Sequence, residues 1–342
     1  MHQLMKSLSL AAVTVALVAP FASAQERPAA DWTMSPPMLR FAKPTSDEPA
    51  ALLDPCVVRH GDKWHLFAGS AGSILHYTLD ELKADGPVVR GQKTSVAGGA
   101  VPQVYFHRAT KKWHMILQKS TKDEGGKNRL AAVLSTNDDL GDDAGWSKLT
   151  TMDVPPAVDE AGKSARWMDF YVIWEGDMAH LFATSSGTLW RSETKAASFP
   201  QGWSKPVAAA TGAIVYASHT YRQPSPKGER FVTIVTSSAT DPVTKKSKQF
   251  QISYVAPKLA GPWTPELSKW DAPYAGFGNA KIADARWSRD IVHGEPIREE
   301  NDERMNLEAQ PTRFVFHARA RLRDEEGAPS IDCLGLLERT AK

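Results

Sequence analysis

Two aspartates stand where short apolar β runs begin, Asp54 in Leu-Leu-Asp-Pro and Asp169 in Trp-Met-Asp-Phe-Tyr. A carboxylate inside such a run is costly to bury unless it is paired or functional. Either one alone reads as a cap on local backbone N–H groups. As a pair at equivalent places in separate units they are expected to converge, which favours a shared polar site over two unrelated caps. Pro55 removes a backbone donor beside the first of them, which suits a strand's start rather than its middle. His293-Gly294-Glu295 closes a third run of this kind, Trp287 to Val292. Its imidazole is a candidate metal ligand or sugar contact, or simply a hydrogen-bonded core residue. Glu295 is a further candidate carboxylate, and Gln103 a candidate reader of hydroxyls. His65, His114 and His180 recur at matching places in other runs, which points to a position in the fold rather than to a metal cluster. The chain has no G-x-S-x-G, H-E-x-x-H, C-x-x-C or Walker A motif, which argues against serine-nucleophile, zinc and nucleotide chemistry.

A segment that returns five times must position these groups. Its first runs begin at Leu52, Ala100, Trp167, Ile214 and Trp287, and its second runs at Lys63, Lys112, Ala179, Arg230 and Arg313. Each pair is β-branched or aromatic and is joined by a turn rich in Gly, Lys and Asp. The first runs recur at about 48, 67, 47 and 73 residues, near the ~40–50 of a four-stranded propeller blade plus insertions. No long amphipathic helix interrupts them. The pattern predicts an all-β, five-bladed β-propeller with a small polar site at its axis.

Residues 1–24 read as an export signal: Lys6 supplies the charged start, Leu8 to Val18 is largely apolar, and Ala22-Ser23-Ala24 suits cleavage. That run is too short to span a bilayer. The mature protein is expected to be secreted or periplasmic, a monomer, and off the membrane once the signal is cleaved. Residues 25–45 read as an extended, Pro-rich lead-in, and 46–342 as the propeller. A net charge of +2 without a basic block argues against nucleic acid. Eleven tryptophans are many for 342 residues; they fill β cores, but they also stack on sugar rings. The two cysteines, Cys56 and Cys333, fall in the first and last blades. Ring closure would let them form a disulfide, the alternative being two separate buried thiols.

From about Leu52 to Leu337 the sequence resembles glycoside hydrolase family 62, secreted enzymes that remove α-L-arabinofuranosyl branches from xylan. The stretches that carry the resemblance include Leu-Leu-Asp-Pro-Cys-Val-Val from Leu52, Val-Pro-Gln-Val-Tyr-Phe from Val101 and Trp-Met-Asp-Phe-Tyr-Val-Ile from Trp167. Tyr-Ala-Gly-Phe-Gly-Asn from Tyr274 and Ile-Val-His-Gly-Glu-Pro-Ile-Arg from Ile291 complete the order. The resemblance implies a five-bladed propeller acting on a polysaccharide or oligosaccharide by inversion. It places Asp54 at the general base and Asp169 at an auxiliary acid that tunes a neighbour and holds the sugar. It sets His293 near a structural calcium ion on the axis. Gln103, Trp167, Asn279 and Glu295 are then expected to contact substrate.

The general acid departs from the pattern. The family's Phe-Glu-Ala-Ser-Asn-Val-Tyr corresponds here to Val215-Tyr216-Ala217-Ser218-His219-Thr220-Tyr221, so Tyr216 holds the acid's place. A phenol with a pKa near ~10 is a far weaker acid than a Glu near ~4.3. A second family Glu appears as Thr236, and a Lys before the base as Leu53. The sequence therefore leaves open an enzyme with a displaced acid (Glu295, His219 or Tyr216 itself), an enzyme for substrates with good leaving groups, or a non-catalytic carbohydrate-binding propeller.

Overall fold

The computed structural model describes residues 32–38, 51–83, 92–122, 125–158, 165–185, 187–282, 287–288, 290–321 and 330–339. The proposed signal peptide and most of the lead-in lie outside them. The described residues form five sheets and no helix. Four are four-stranded meanders whose strands pair in chain order. Their innermost strands are Leu53–His60, Gly99–His107, Met168–Glu175 and Tyr216–Ser225. The fifth sheet has Val292–Pro296 innermost, followed by Arg313–Arg321 and Ser330–Glu338. Four first runs are thus inner strands, the fifth enters its inner strand only at Val292, and all five second runs are the strands paired with them. The inner strands of blades 1 to 3 are largely apolar because neighbouring blades cover both of their faces. Gly61 and Gly176, each followed by Asp, adopt φ of 61° and 62° at the first turn of blades 1 and 3, a conformation that a Cβ disfavours.

The ring is tied blade to blade near its axis. Val104 N–H donates to Cys56 Sγ (3.1 Å) between blades 1 and 2. Gln103 clasps the backbone of Val172 between blades 2 and 3. Tyr171 Oη meets Thr220 Oγ1 at 2.6 Å between blades 3 and 4. Tyr221 Oη donates to Glu295 Oε2 at 3.4 Å between blades 4 and 5. Arg298 Nη2 donates to Val57 O at 2.9 Å, closing blade 5 onto blade 1.

Two expectations change here. Trp32–Met34, within the segment read as an extended lead-in, is a strand of blade 5. It runs antiparallel to Ser330–Glu338 (Thr33 beside Glu338) and parallel to Ala280–Ile282 (Trp32 beside Ala280). The chain's two ends therefore close the ring together. Trp32 is buried, and its Nε1–H donates to Tyr274 O at 2.8 Å. The disulfide is absent, and both cysteines are buried thiols. Cys56 lies on the innermost strand of blade 1, whereas Cys333 lies on the third strand of blade 5, opposite Ala318. Closure brings the two blades together but leaves these positions at different radii from the axis. Burial pushes the Cys56 thiol far above its ordinary range, so it is an inert core group.

Candidate active site

Every inner strand slips register where it enters the blade: between Leu53 and Cys56, Ala100 and Gln103, Met168 and Tyr171, Tyr216 and Ser218, and Val292 and Gly294. Such a bulge leaves one residue unpaired and re-aims its side chain. In three blades that residue has positive φ: Asp54 (54°), Val101 (55°) and Asp169 (59°). Aspartate tolerates this region better than most side chains. Both candidate carboxylates are therefore placed by the same backbone device, and His293 occupies the corresponding bulge of blade 5.

Asp54 Oδ1 lies 3.3 Å from His293 Nδ1, with the Asp54 side chain 21% exposed and the imidazole 2%. Asp169 is buried and accepts a hydrogen bond from Thr184 Oγ1 at 3.3 Å; its own N–H donates to Gln118 Oε1 of blade 2 at 2.8 Å. Burial, reinforced by His219, drives the pKa of His293 down to about 3, against an opposing pull from the negative charge of Asp169. The His293 ring is therefore neutral at ordinary pH. A neutral ring beside a carboxylate is best served by a proton on Nδ1. The Nε2 atoms of His293 and His219 lie 3.3 Å apart. The other nitrogen of His219 faces Tyr221 Oη at 3.4 Å and Glu295 Oε2 at 3.8 Å.

Beneath this pair lies a buried ion pair. Glu295 is fully buried and accepts from Val57 N–H and from Tyr221 Oη. Burial alone would raise its pKa, but Arg298, His219 and the Val57 N–H together outweigh that and hold it below the usual range. Arg298 Nη2 sits 3.9 Å from Glu295 Oε1 and also donates to Val104 O at 3.0 Å.

The sequence-predicted site residues divide accordingly. Asp54, Asp169 and His293 come together at one mouth of the axis. Glu295 does not act there: it is an ionised, solvent-excluded anchor, which removes it both as a substrate contact and as a replacement acid. Gln103 is also structural, because its amide is fully buried and spent on Val172, Nε2 donating to the carbonyl (2.8 Å) and Oε1 accepting from the N–H (2.7 Å). Asn279 pins its own loop, accepting from Gly276 N–H (2.9 Å) and donating to Pro273 O (3.0 Å). Trp167 is buried against Phe170, with ring centroids 6.0 Å apart, and lines a cavity of about 600 Å³ with Arg129 and Arg166. Tyr216 is half-buried and donates from Oη to Gln249 Oε1 at 2.6 Å. Thr236 pairs with Tyr216 across the hairpin and accepts from Gln251 Nε2 at 3.0 Å. Tyr216 and Thr236 thus present a phenol and a hydroxyl, each hydrogen-bonded to a glutamine. The nearby carboxylate is Asp290, buried and accepting from Gln249 N–H at 2.9 Å.

Sequence reasoning did not single out Asp290, Arg298, Thr184 or Gln118. Asp290 and Arg298 lie within five residues of His293, and that proximity was the available signal. Thr184 and Gln118 are brought in only by strand pairing. His65, His114 and His180 are local fold groups, facing His76 (2.9 Å), Thr110 (3.2 Å) and Arg191 (3.0 Å) respectively.

Calcium at the axis does not fit these residues. The ion takes six to eight oxygen ligands at about 2.3–2.6 Å. Both nitrogens of His293 face other side chains, and the oxygens of Glu295 are held by Val57, Tyr221 and Arg298. Among the described residues no group of three or more His, Cys, Asp or Glu is arranged to hold a metal ion.

The five-bladed ring is a fold shared with solved arabinofuranosidase structures. The catalytic domain of a Coprinopsis cinerea GH62 α-L-arabinofuranosidase superposes with a TM-score of 0.75 at 24% identity, over 91% of this chain and 98% of that one. A Podospora anserina α-L-arabinofuranosidase solved with cellotriose gives 0.74 at 24% identity, over 92% and 98%. Residues 87–327 match Glycosyl hydrolase family 62, and the chain belongs to that family. It is also 25% identical over 297 residues to alpha-L-arabinofuranosidase C of Cellvibrio japonicus, covering 83% of this chain but only 43% of that protein's length.

Proposed function

We propose that the chain is a glycoside hydrolase that removes α-L-arabinofuranosyl side chains from a xylan-type polysaccharide by inversion, acting as a secreted or periplasmic monomer. The observation that carries this reading is the pair of bulge aspartates at one mouth, with Asp54 held by the Nδ1–H of a neutral His293. In the proposed step Asp54 takes a proton from water as the water oxygen attacks the anomeric carbon, and the glycosidic bond breaks on the opposite face. Asp169, steadied by Thr184, orients the sugar. The proton for the departing oxygen is the weak point, because Tyr216 stands where an acid is needed and its Oη is directed to Gln249.

That arrangement suits a leaving group that departs without protonation. Wild type is expected to cleave an aryl α-L-arabinofuranoside in strong preference to arabinoxylan. Tyr216→Glu is expected to raise arabinose release from the polymer at least ~10-fold, within the ~10²–10⁴ range of a matched general acid. Rates on both substrates, for wild type and variant, test this. If neither protein cleaves either substrate, the hydrolase reading fails. The same missing acid then favours a carbohydrate-binding propeller.

A further inference from the structure

The misfit of calcium has a local cause. The axis is filled by two imidazoles set edge to face, His219 from blade 4 and His293 from blade 5, with centroids 5.1 Å apart at 85°. Both rings are about 2% exposed. Their Nε2 atoms face each other at 3.3 Å, so one carries the proton and the other accepts it. An ion on His293 Nε2 would have to break that bond. His219 stands where the resembling pattern has Asn, a side chain with a carbonyl oxygen to offer a hard cation or its water.

We infer that His219 closes the propeller axis in place of a metal ion. Its Nε2 set against His293 Nε2 holds that ring facing Asp54, so the mouth is built without calcium. Three blades meet in this chain of contacts: Asp54 from blade 1, His219 from blade 4 and His293 from blade 5. The base is therefore oriented by protein alone. The inference concerns the axis and does not depend on turnover.

The test is thermal melting of the full chain in excess EGTA and in millimolar calcium chloride, with elemental analysis of the protein after chelator dialysis. An ion bound only to the folded state raises Tm as its concentration exceeds Kd. Wild type is expected to show the same Tm in both buffers and to retain substoichiometric metal. His219→Asn is expected to gain a calcium-dependent rise of several degrees. Wild type that keeps one equivalent of calcium or another divalent metal, or that melts several degrees earlier in EGTA, overturns the inference. A folded His219→Asn that remains indifferent to calcium overturns the role given to His219. Should that variant not fold, the wild-type measurements decide alone. None of these readouts needs activity, so their failure is distinct from failure of the hydrolase reading.

Discussion

Asp54→Ala is expected to lower release of sugar from an aryl α-L-arabinofuranoside by about 10²–10⁴-fold, the range of a positioned general base. The aryl substrate isolates this step, since its leaving group does not wait for an acid. Stability should change little, because Asp54 is partly exposed and its removal leaves His293 Nδ1–H beside an opening that water can fill. Initial rates and a thermal melt check both halves. A binding propeller gives a different pattern, with oligosaccharide affinity retained and no rate to lose. If Asp54→Ala keeps most of the wild-type rate, the water-activating group lies elsewhere and the reading of the bulge aspartates is wrong.

The largest stability effect is expected at Arg298. Its guanidinium sits between the carbonyls of Val57 and Val104 and faces the Glu295 carboxylate, joining blades 1, 2 and 5. Arg298→Met keeps much of the side-chain volume but leaves a buried carboxylate without its countercharge, for which about 3–5 kcal/mol is typical. Chemical denaturation should show the midpoint falling accordingly. Pairing it with Glu295→Gln should recover part of the loss, because the two groups are in contact and their effects do not add. A loss below ~1 kcal/mol would mean that water or another cation serves the carboxylate.

The fold was legible where the physics is local. Inner strands are covered on both faces, so each appears as a compact apolar run, and an aspartate at its start stands out. Five such runs, each followed by a turn and a second run, were enough to number the blades and to single out Asp54, Asp169 and His293 as candidates. Long-range pairing left less trace. Trp32–Met34 is three residues long, and its antiparallel partner lies at the opposite end of the sequence. Buried amides were the main misreading. Gln103 looks like a hydroxyl reader in a sequence and Asn279 enters as a substrate contact through the resemblance, yet each satisfies backbone groups that would otherwise be orphaned. Glu295 misled in the same way, since only the structure reveals Arg298 and Val57 closing around it. The cysteines show the limit of blade-level reasoning, because adjacent blades need not place two residues at one radius.

The most direct test of the central claim is the stereochemistry of the first sugar released from an aryl α-L-arabinofuranoside, followed by proton NMR from the moment of mixing. Direct attack by water activated at Asp54 predicts that the β anomer appears first and mutarotates later. Release of the α anomer first would require a covalent intermediate on the protein and would contradict the account. So would the absence of any released sugar.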